Sequence, residues 1–270
     1  MRQGNEEKRR EEKRREEKPR PRYIASCSCG KDSLAMLCVI KAHPEKYPLD
    51  EIVICKIKAT KTMSGCFPIQ QAFIDRIIPI LQNEFNVPVT VIEDEMSFEE
   101  IFYTEKKSGK RVGNIYGFPY TIGAWCNDRL KMRPMDKYFK KQGNHIRYIG
   151  IAYDEPNRYA RLEDNEVAPL YEEKIIEAEA KEICINNNLL SPIYEFFDRD
   201  GCWFCPKQSL YSLRIIYDHF PNLWEQLKIW QKDSPTTFNS HSSILELDKK
   251  FKAGFQPKKI IRKKYVHNKK

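Results

Sequence analysis

Residues Ser28–Ser33 read Ser-Cys-Gly-Lys-Asp-Ser, with Pro21–Cys27 before them in strand-like character and the apolar run Leu34–Ile40 after them in helical character. No other stretch constrains the fold as strongly. A strand that turns sharply through Gly30 into a helix points successive backbone N–H groups, and the positive end of the helix dipole, at one place. An anion belongs there, and phosphate suits it best. Lys31 adds a full charge, and the hydroxyls of Ser28 and Ser33 add donors able to follow phosphate oxygens. Asp32 is placed to cap the helix or to help bind Mg²⁺. The Walker A pattern does not fit, because it needs four residues between its first glycine and Gly-Lys.

The rest of the chain alternates in the same manner. Glu51–Lys58, Val87–Ile92 and Ile146–Ala152 are rich in β-branched residues and short, as sheet strands are. Ile69–Phe85 carries Ile74, Ile77, Ile78 and Leu81 on one helical face, and Asn127–Gln142 is a second predicted helix. The expected fold is α/β, a doubly wound, Rossmann-like parallel sheet with a mainly helical, cysteine-containing C-terminal appendage. Ligands of such sheets sit outside the carboxyl ends of the strands, where the first loop lies. The divisions expected are a charged extension (1–21), a nucleotide-binding domain (22–164), a helical region around a cysteine pair (165–235) and a basic tail (236–270). Leu170–Asn187 and Gln208–Lys232 are predicted helices, the second with a stop near Pro221. Residues Lys106–Gly123 hold four glycines and Pro119, which suggests a long mobile loop over the site.

Charge is unevenly spread over the 270 residues. The chain nets +9, but residues 1–22 contribute +4 and residues 249–270 contribute +10, which leaves residues 23–248 at −5. The N-terminal Glu-Glu-Lys-Arg-Arg repeat is a solvated helix or disordered. The run Lys258–Tyr265, basic with an aromatic, suits contact with nucleic acid as well as mere solubility. No apolar run approaches the roughly 18 residues of a membrane span, and the N-terminus is too charged for a secretory signal. A cytoplasmic protein is expected, so its nine cysteines are reduced thiols rather than a disulfide framework.

Among them, Gly201-Cys202-Trp-Phe-Cys205-Pro206 is a Cys-x-x-Cys pair in a tight turn, a spacing that grips one metal ion or two corners of an iron-sulfur cluster. A redox disulfide is the rival, but such pairs open a helix near the start of their fold. A pair cannot fill a tetrahedral site, and Cys126 and Cys184 are the best candidates for the remaining ligands. Cys38 and Cys55 lie in apolar runs and read as core. Cys27, Cys29 and Cys66 belong with packing or the phosphate crevice, Cys66 with a lesser option of carrying a persulfide.

The Ser-x-Gly-Lys-Asp-Ser loop is followed by Trp125-Cys126, Arg129-Leu130-Lys131, Gly150-Ile151-Ala152, Asp154-Glu155 and Arg158. Leu190-Ser-Pro-Ile-Tyr194 then leads to the cysteine pair. This ordered set resembles the phosphoadenosine phosphosulfate (PAPS) reductase-like family, of bacterial or phage type. That family belongs to the PP-loop ATP pyrophosphatase (adenine nucleotide alpha hydrolase-like) superfamily. The resemblance covers roughly residues 20 to 235. It implies ATP bound with Mg²⁺ by residues 28–33, including Cys29 and Gly30, with anion contacts from Arg129, Lys131 and Arg158. It also implies a 4Fe-4S cluster on Cys126, Cys202 and Cys205, with Cys184 a weaker fourth, or Zn²⁺ on the same residues. Cys29 stands where the family usually has glycine, no cysteine follows Cys205, and Cys126 is single where reductases have a tandem pair. The last two departures favour an ATP pyrophosphatase that adenylates a nucleic acid or nucleotide for iron-sulfur-assisted sulfur transfer, with a sulfur donor protein among its expected partners. A sulfonucleotide reductase is the alternative, and a zinc-stapled nucleic-acid-binding module without catalysis the third reading.

Overall fold

A computed structural model describes residues 20–109, 111–239 and 242–259. Five strands, β1 (Arg22–Cys27), β2 (Glu51–Lys56), β3 (Val89–Glu93), β4 (His145–Ile149) and β5 (Glu166–Val167), form one sheet in the order β3-β2-β1-β4-β5. Every pairing is parallel, with Ala25 of β1 opposite Ile52 on one side and Tyr148 on the other. The expected α/β class and parallel sheet are therefore present. Strand order reverses at β1: the chain moves outward through β2 and β3, then returns to the other side with β4. A crevice opens where neighbouring connections leave in opposite directions, so the carboxyl end of β1 is the topological switch point.

Helix α1 (Lys31–Ala42) leaves that crevice and is buried on most of its surface, through Leu34, Ala35, Met36, Leu37, Val39 and Ile40. Helix α2 (Pro68–Phe85) packs Phe73, Ile74, Ile77 and Leu81 on the same core, and α3 (Phe98–Phe102) follows β3. Next come α4 (Trp125–Asn127), a π-helical turn (Asp128–Met132) and α5 (Arg133–Phe139), where one continuous helix is predicted. After β4 and α6 (Pro156–Tyr159), the helix predicted over Leu170–Asn187 is split into α7 (Pro169–Glu172) and α8 (Glu177–Asn186) by Lys174 at φ 58°. A 3₁₀ turn (Pro192–Glu195), α9 (Leu210–His219) and α10 (Pro221–Asp233) follow, with the break at Pro221 where the sequence predicts it.

Besides a small core of Ile24, Val53, Met135 and Phe139, two larger apolar cores divide the chain differently from the sequence expectation. Leu170, Ala180, Cys184 and Leu189 belong to the core of the sheet, so the helical region does not separate at residue 165. The second core joins Phe67, Phe98, Phe102 and Phe118 to Trp203, Trp230 and Phe251. Nor is residue 236 the start of a tail. Helix α11 (Ile244–Lys252) opens with a Ser243–Glu246 capping box and buries Ile244, Leu247 and Phe251 in the second core. The charged extension up to residue 19 and the tail from 260 onward lie outside the described residues. No described helix is long and apolar enough to cross a membrane.

Gly150, just after β4, lies against the start of α1. A Cβ there would stand 2.9 Å from the backbone of Asp32 and Ser33. Gly150→Ala is expected to shift that contact and lower stability by about 1–3 kcal/mol, read as a lower urea midpoint at unchanged slope. An unchanged midpoint would show that the approach of strand to helix is not tight.

Candidate functional site

The turn between β1 and α1 runs through Cys29 rather than through Gly30. Cys29 has φ 57°, in the left-handed region, whereas Gly30 is extended at φ −86° and ψ 164°. A non-glycine residue held there costs on the order of 1–3 kcal/mol unless its surroundings fix it. They do: the Cys29 N–H donates to Cys27 Sγ at 3.3 Å and the Cys29 carbonyl accepts from Gln70 Nε2 at 3.2 Å. Gln70 is in turn bonded to the buried Ser191 hydroxyl. At Gly30 a Cβ would come tight against the Tyr194 hydroxyl at 3.3 Å and into ordinary contact with Asp200 Oδ2 at 3.5 Å.

Ser33 Oγ accepts from the Ser28 N–H at 3.2 Å, donates to the Gly30 carbonyl at 2.9 Å and lies 3.3 Å from Ser28 Oγ. The Lys31 N–H donates to the Tyr194 hydroxyl at 2.8 Å. Its ammonium, nearly enclosed, sits 2.6 Å from Asp32 Oδ1 and 3.2 Å from Glu177 Oε2. Burial depresses the Lys31 pKa, but the bond and charge of Asp32, then Glu177, outweigh it and hold Lys31 above its ordinary value. Asp32 is raised, chiefly by burial, with Glu177 and Glu155 adding to it against the pull of Lys31. Asp32 makes no helix cap; it neutralises Lys31.

Across the crevice, two segments distant in sequence are laced together. The Trp203 N–H donates to the Gly65 carbonyl at 3.1 Å and Trp203 Nε1–H to the Ser64 carbonyl at 2.9 Å. Cys66 is thereby fixed beside Cys202. The Cys-x-x-Cys turn is closed by the Cys205 N–H on the Cys202 carbonyl at 3.1 Å, and Gln208 Nε2 bonds the same carbonyl at 3.1 Å. Aromatic rings wall it off: Trp203 stacks on Trp230 at 5.2 Å, and Phe98 lies 4.1 Å from Phe204 and 4.9 Å from Trp125 between ring centres. Burial pushes Cys126 up to about 11, with Cys205 adding. It pushes Cys202 further, with Cys66, Cys205, Cys126 and Asp200 adding in that order. Burial likewise takes Cys66 to about 12 and Asp200 to about 6, and Asp200 Oδ1 is shut away from solvent without a hydrogen-bond partner.

Cys66, Cys126 and Cys205 all lie within electrostatic reach of Cys202, so the four partly buried thiols share one neighbourhood. This donor chemistry fits a thiophilic metal group. Among the described residues, no three Cys, His, Asp or Glu side chains already converge as ligands of one ion. Cys184 is not brought to this neighbourhood. It is fully buried in α8 against α1, its thiol donating to the Lys31 carbonyl at 3.1 Å, because the helix pattern points it into the sheet core. Arg129 lies over the Tyr116 ring, and Lys131 is exposed within electrostatic reach of Asp200. Arg158 is held in an exposed pair with Glu155 at 2.7 Å. Sequence reasoning gave no role to Gln70, Ser191, Tyr194 or Asp200, and set Cys66 apart from the pair. Only the quoted Leu190–Tyr194 motif carried a signal for two of them.

No protein-family model matches the chain. A stretch of 46 residues is 50% identical to the uncharacterized nin region protein ORF290 of Escherichia phage lambda, a match spanning 16% of this chain and 16% of that protein. Among solved structures, the U34-tRNA thiolase NcsA from Methanococcus maripaludis with its 4Fe-4S cluster superposes with a TM-score of 0.43 at 12% identity. The superposition covers 90% of this chain and 85% of that one.

Tyr194→Phe removes the acceptor of the Lys31 N–H from a partly buried place. A loss of about 1–3 kcal/mol in unfolding free energy is expected. A variant as stable as the parent would show that the amide finds another partner and that Tyr194 does not hold the loop.

Proposed function

We propose that the chain is a PP-loop ATP pyrophosphatase that adenylates a nucleotide or nucleic acid for sulfur transfer. The observation that carries this reading is the juxtaposition at the switch point. The strand-loop-helix with Lys31, Ser28 and Ser33 faces Asp200 across Gly30, and Asp200 adjoins the thiols of Cys66 and Cys202. A phosphate loop alone would serve many kinases or synthetases; thiols on the same crevice narrow the chemistry.

Residues 28–33 would take the β- and γ-phosphates. An oxygen of the substrate then bonds to the α-phosphorus while the bond to the bridging oxygen of the β-phosphate breaks, and pyrophosphate leaves with the added negative charge. Lys31 and the hydroxyls of Ser28 and Ser33 stabilise that charge, which is greatest in the transition state. Lys31 is already desolvated, so its charge acts at full strength once Asp32 and Glu177 release it to phosphate. Asp32, with Glu177 close by, would hold Mg²⁺, whose charge compensates the carboxylates that Lys31 leaves. Cys126, Cys202 and Cys205 would hold an iron-sulfur group, which supplies a thiophilic position for sulfur when bound. Adenylation turns the substrate oxygen into a good leaving group, AMP, for the incoming sulfur. A sulfur donor protein fits this scheme as a partner.

Two outcomes are expected. With α-labelled ATP, Mg²⁺, total cellular RNA or DNA as acceptor and sulfide as the incoming nucleophile, the products are AMP and pyrophosphate, and Lys31→Met slows their formation on the order of 100-fold or more. ADP and phosphate as products, or an unaffected Lys31→Met, contradict the reading. After anaerobic reconstitution, Cys202→Ser loses most of the bound iron and sulfide while Cys184→Ser keeps it. Equal loss in both would return Cys184 to the ligand set.

A further inference from the structure

Residues 104–133 stand out electrically. They hold Lys106, Lys107, Lys110, Arg111, Arg129, Lys131 and Arg133 against Glu105 and Asp128, a net of +5 inside a body of 23–248 that nets −5. Part of this stretch is the segment predicted to be a mobile loop. Its first part is closed by a single antiparallel bridge, Glu105 to Ile115, into a hairpin: the Lys106 N–H donates to the Asn114 carbonyl at 2.9 Å, and the Gly113 N–H returns to the Lys106 carbonyl at 3.1 Å. The hairpin is rooted on α3, through Tyr116 N–H to the Thr104 carbonyl and Gly117 N–H to the Phe102 carbonyl, both at 3.0 Å.

Its base meets the helix that carries Cys126. Arg129 lies 4.5 Å above the Tyr116 ring centre and donates from Nη2 to the Tyr116 hydroxyl at 2.5 Å. Lys106 lies 5.4 Å from the same ring, and Trp125 is its neighbour at 5.9 Å. Trp125 Nε1–H is buried with no acceptor. Tyr120 is 59% exposed just beyond. Elsewhere in the body some cations pair with carboxylates, as Lys31, Lys56, Arg147 and Arg214 do. Among the described residues, Lys106, Lys107, Arg111, Arg129 and Lys131 form no ion pair. Burial, and then the charge of Arg111, hold Lys106 below its ordinary pKa.

We propose that the 104–116 hairpin, with Arg129 and Tyr116 at its base, is the binding surface for a single-stranded nucleic acid, leading the strand to the crevice beside Cys126. This deepens the proposed function, on which it rests, by naming the substrate class. Unpaired cations on an acidic body gain most from a polyanion, because each phosphate contact releases condensed counterions. An exposed aromatic such as Tyr120 beside these cations favours unstacked bases, which a duplex hides and a single strand offers. Acidic proteins offer charge but no bases.

The test is fluorescence anisotropy of a labelled 20-nucleotide single strand with the full chain, without ATP and over a range of salt, in RNA and DNA arms of one sequence. K106Q/K107Q/R111Q is expected to weaken binding on the order of tenfold or more at 0.1 M salt and to flatten the salt slope by about 2. K106R/K107R is expected to bind as the parent does. K107Q/R111Q, which changes only exposed side chains, is expected to show the same direction, so a misfolded triple variant does not decide the matter. The preferred arm identifies the nucleic acid. Unchanged affinity and slope in K107Q/R111Q, a duplex bound as well as the single strand, or equal competition by a polyglutamate peptide would overturn the proposal. Because no ATP is present, this result is read independently of whether the chain forms AMP and pyrophosphate.

Discussion

The hydrogen bond from the Lys31 amide to the Tyr194 hydroxyl joins the first turn of α1 to the segment that leads into the second core. Around it, Gln70 and Ser191 fix the Cys29 carbonyl, and Gly30 leaves room beside Tyr194 and Asp200 where a Cβ would make contact. These contacts let a cysteine keep a backbone conformation it would otherwise avoid. They also set the distance between the phosphate loop and the thiols. Were the loop free to relax, the donors of residues 28–33 and the neighbourhood of Cys202 would no longer share one crevice.

Electrostatics follow from that geometry. The loop as it stands is internally neutralised: Lys31 lies between Asp32 and Glu177, and the two serine hydroxyls bond within the loop. A nucleotide therefore competes with carboxylates for Lys31, and a divalent cation that occupies those carboxylates favours the exchange. The partly buried thiols show the opposite logic. Burial keeps Cys126 and Cys202 protonated, so a metal group that binds there must release their protons. Further out, the unpaired cations of the hairpin stand against an acidic body, and charge is left over where a polyanion would gain from it.

Local pattern made part of this visible in advance. The strand-loop-helix at Ser28–Ser33, the βα alternation and the stop at Pro221 each rest on neighbours in sequence, and the parallel sheet is as expected. What local pattern misses is pairing over distance. Nothing near Cys66 says that Trp203 will bind the Ser64 and Gly65 carbonyls, and nothing near Lys31 says that Tyr194 will take its amide. Cys184 was indistinguishable from a ligand by composition, yet its place on α8 turns it into the sheet core. Helix α11 was hidden by its lysines, although Ile244, Leu247 and Phe251 recur at helical spacing behind a Ser–Glu capping box. The hairpin at 104–116 read as a loop because its glycines suit turns, and its ladder depends on bonds across the strands.

The central claim is that one crevice brings a nucleotide's phosphates to residues 28–33 and Lys31. A crystal structure with α,β-methylene-ATP and Mg²⁺ tests it most directly. The account predicts phosphate oxygens on the amides of residues 29–33, Lys31 Nζ moved from Glu177 onto phosphate, and the α-phosphorus open toward Asp200 and Cys202. A nucleotide bound elsewhere, or one in this crevice with Lys31 still held by Asp32 and Glu177, would contradict it.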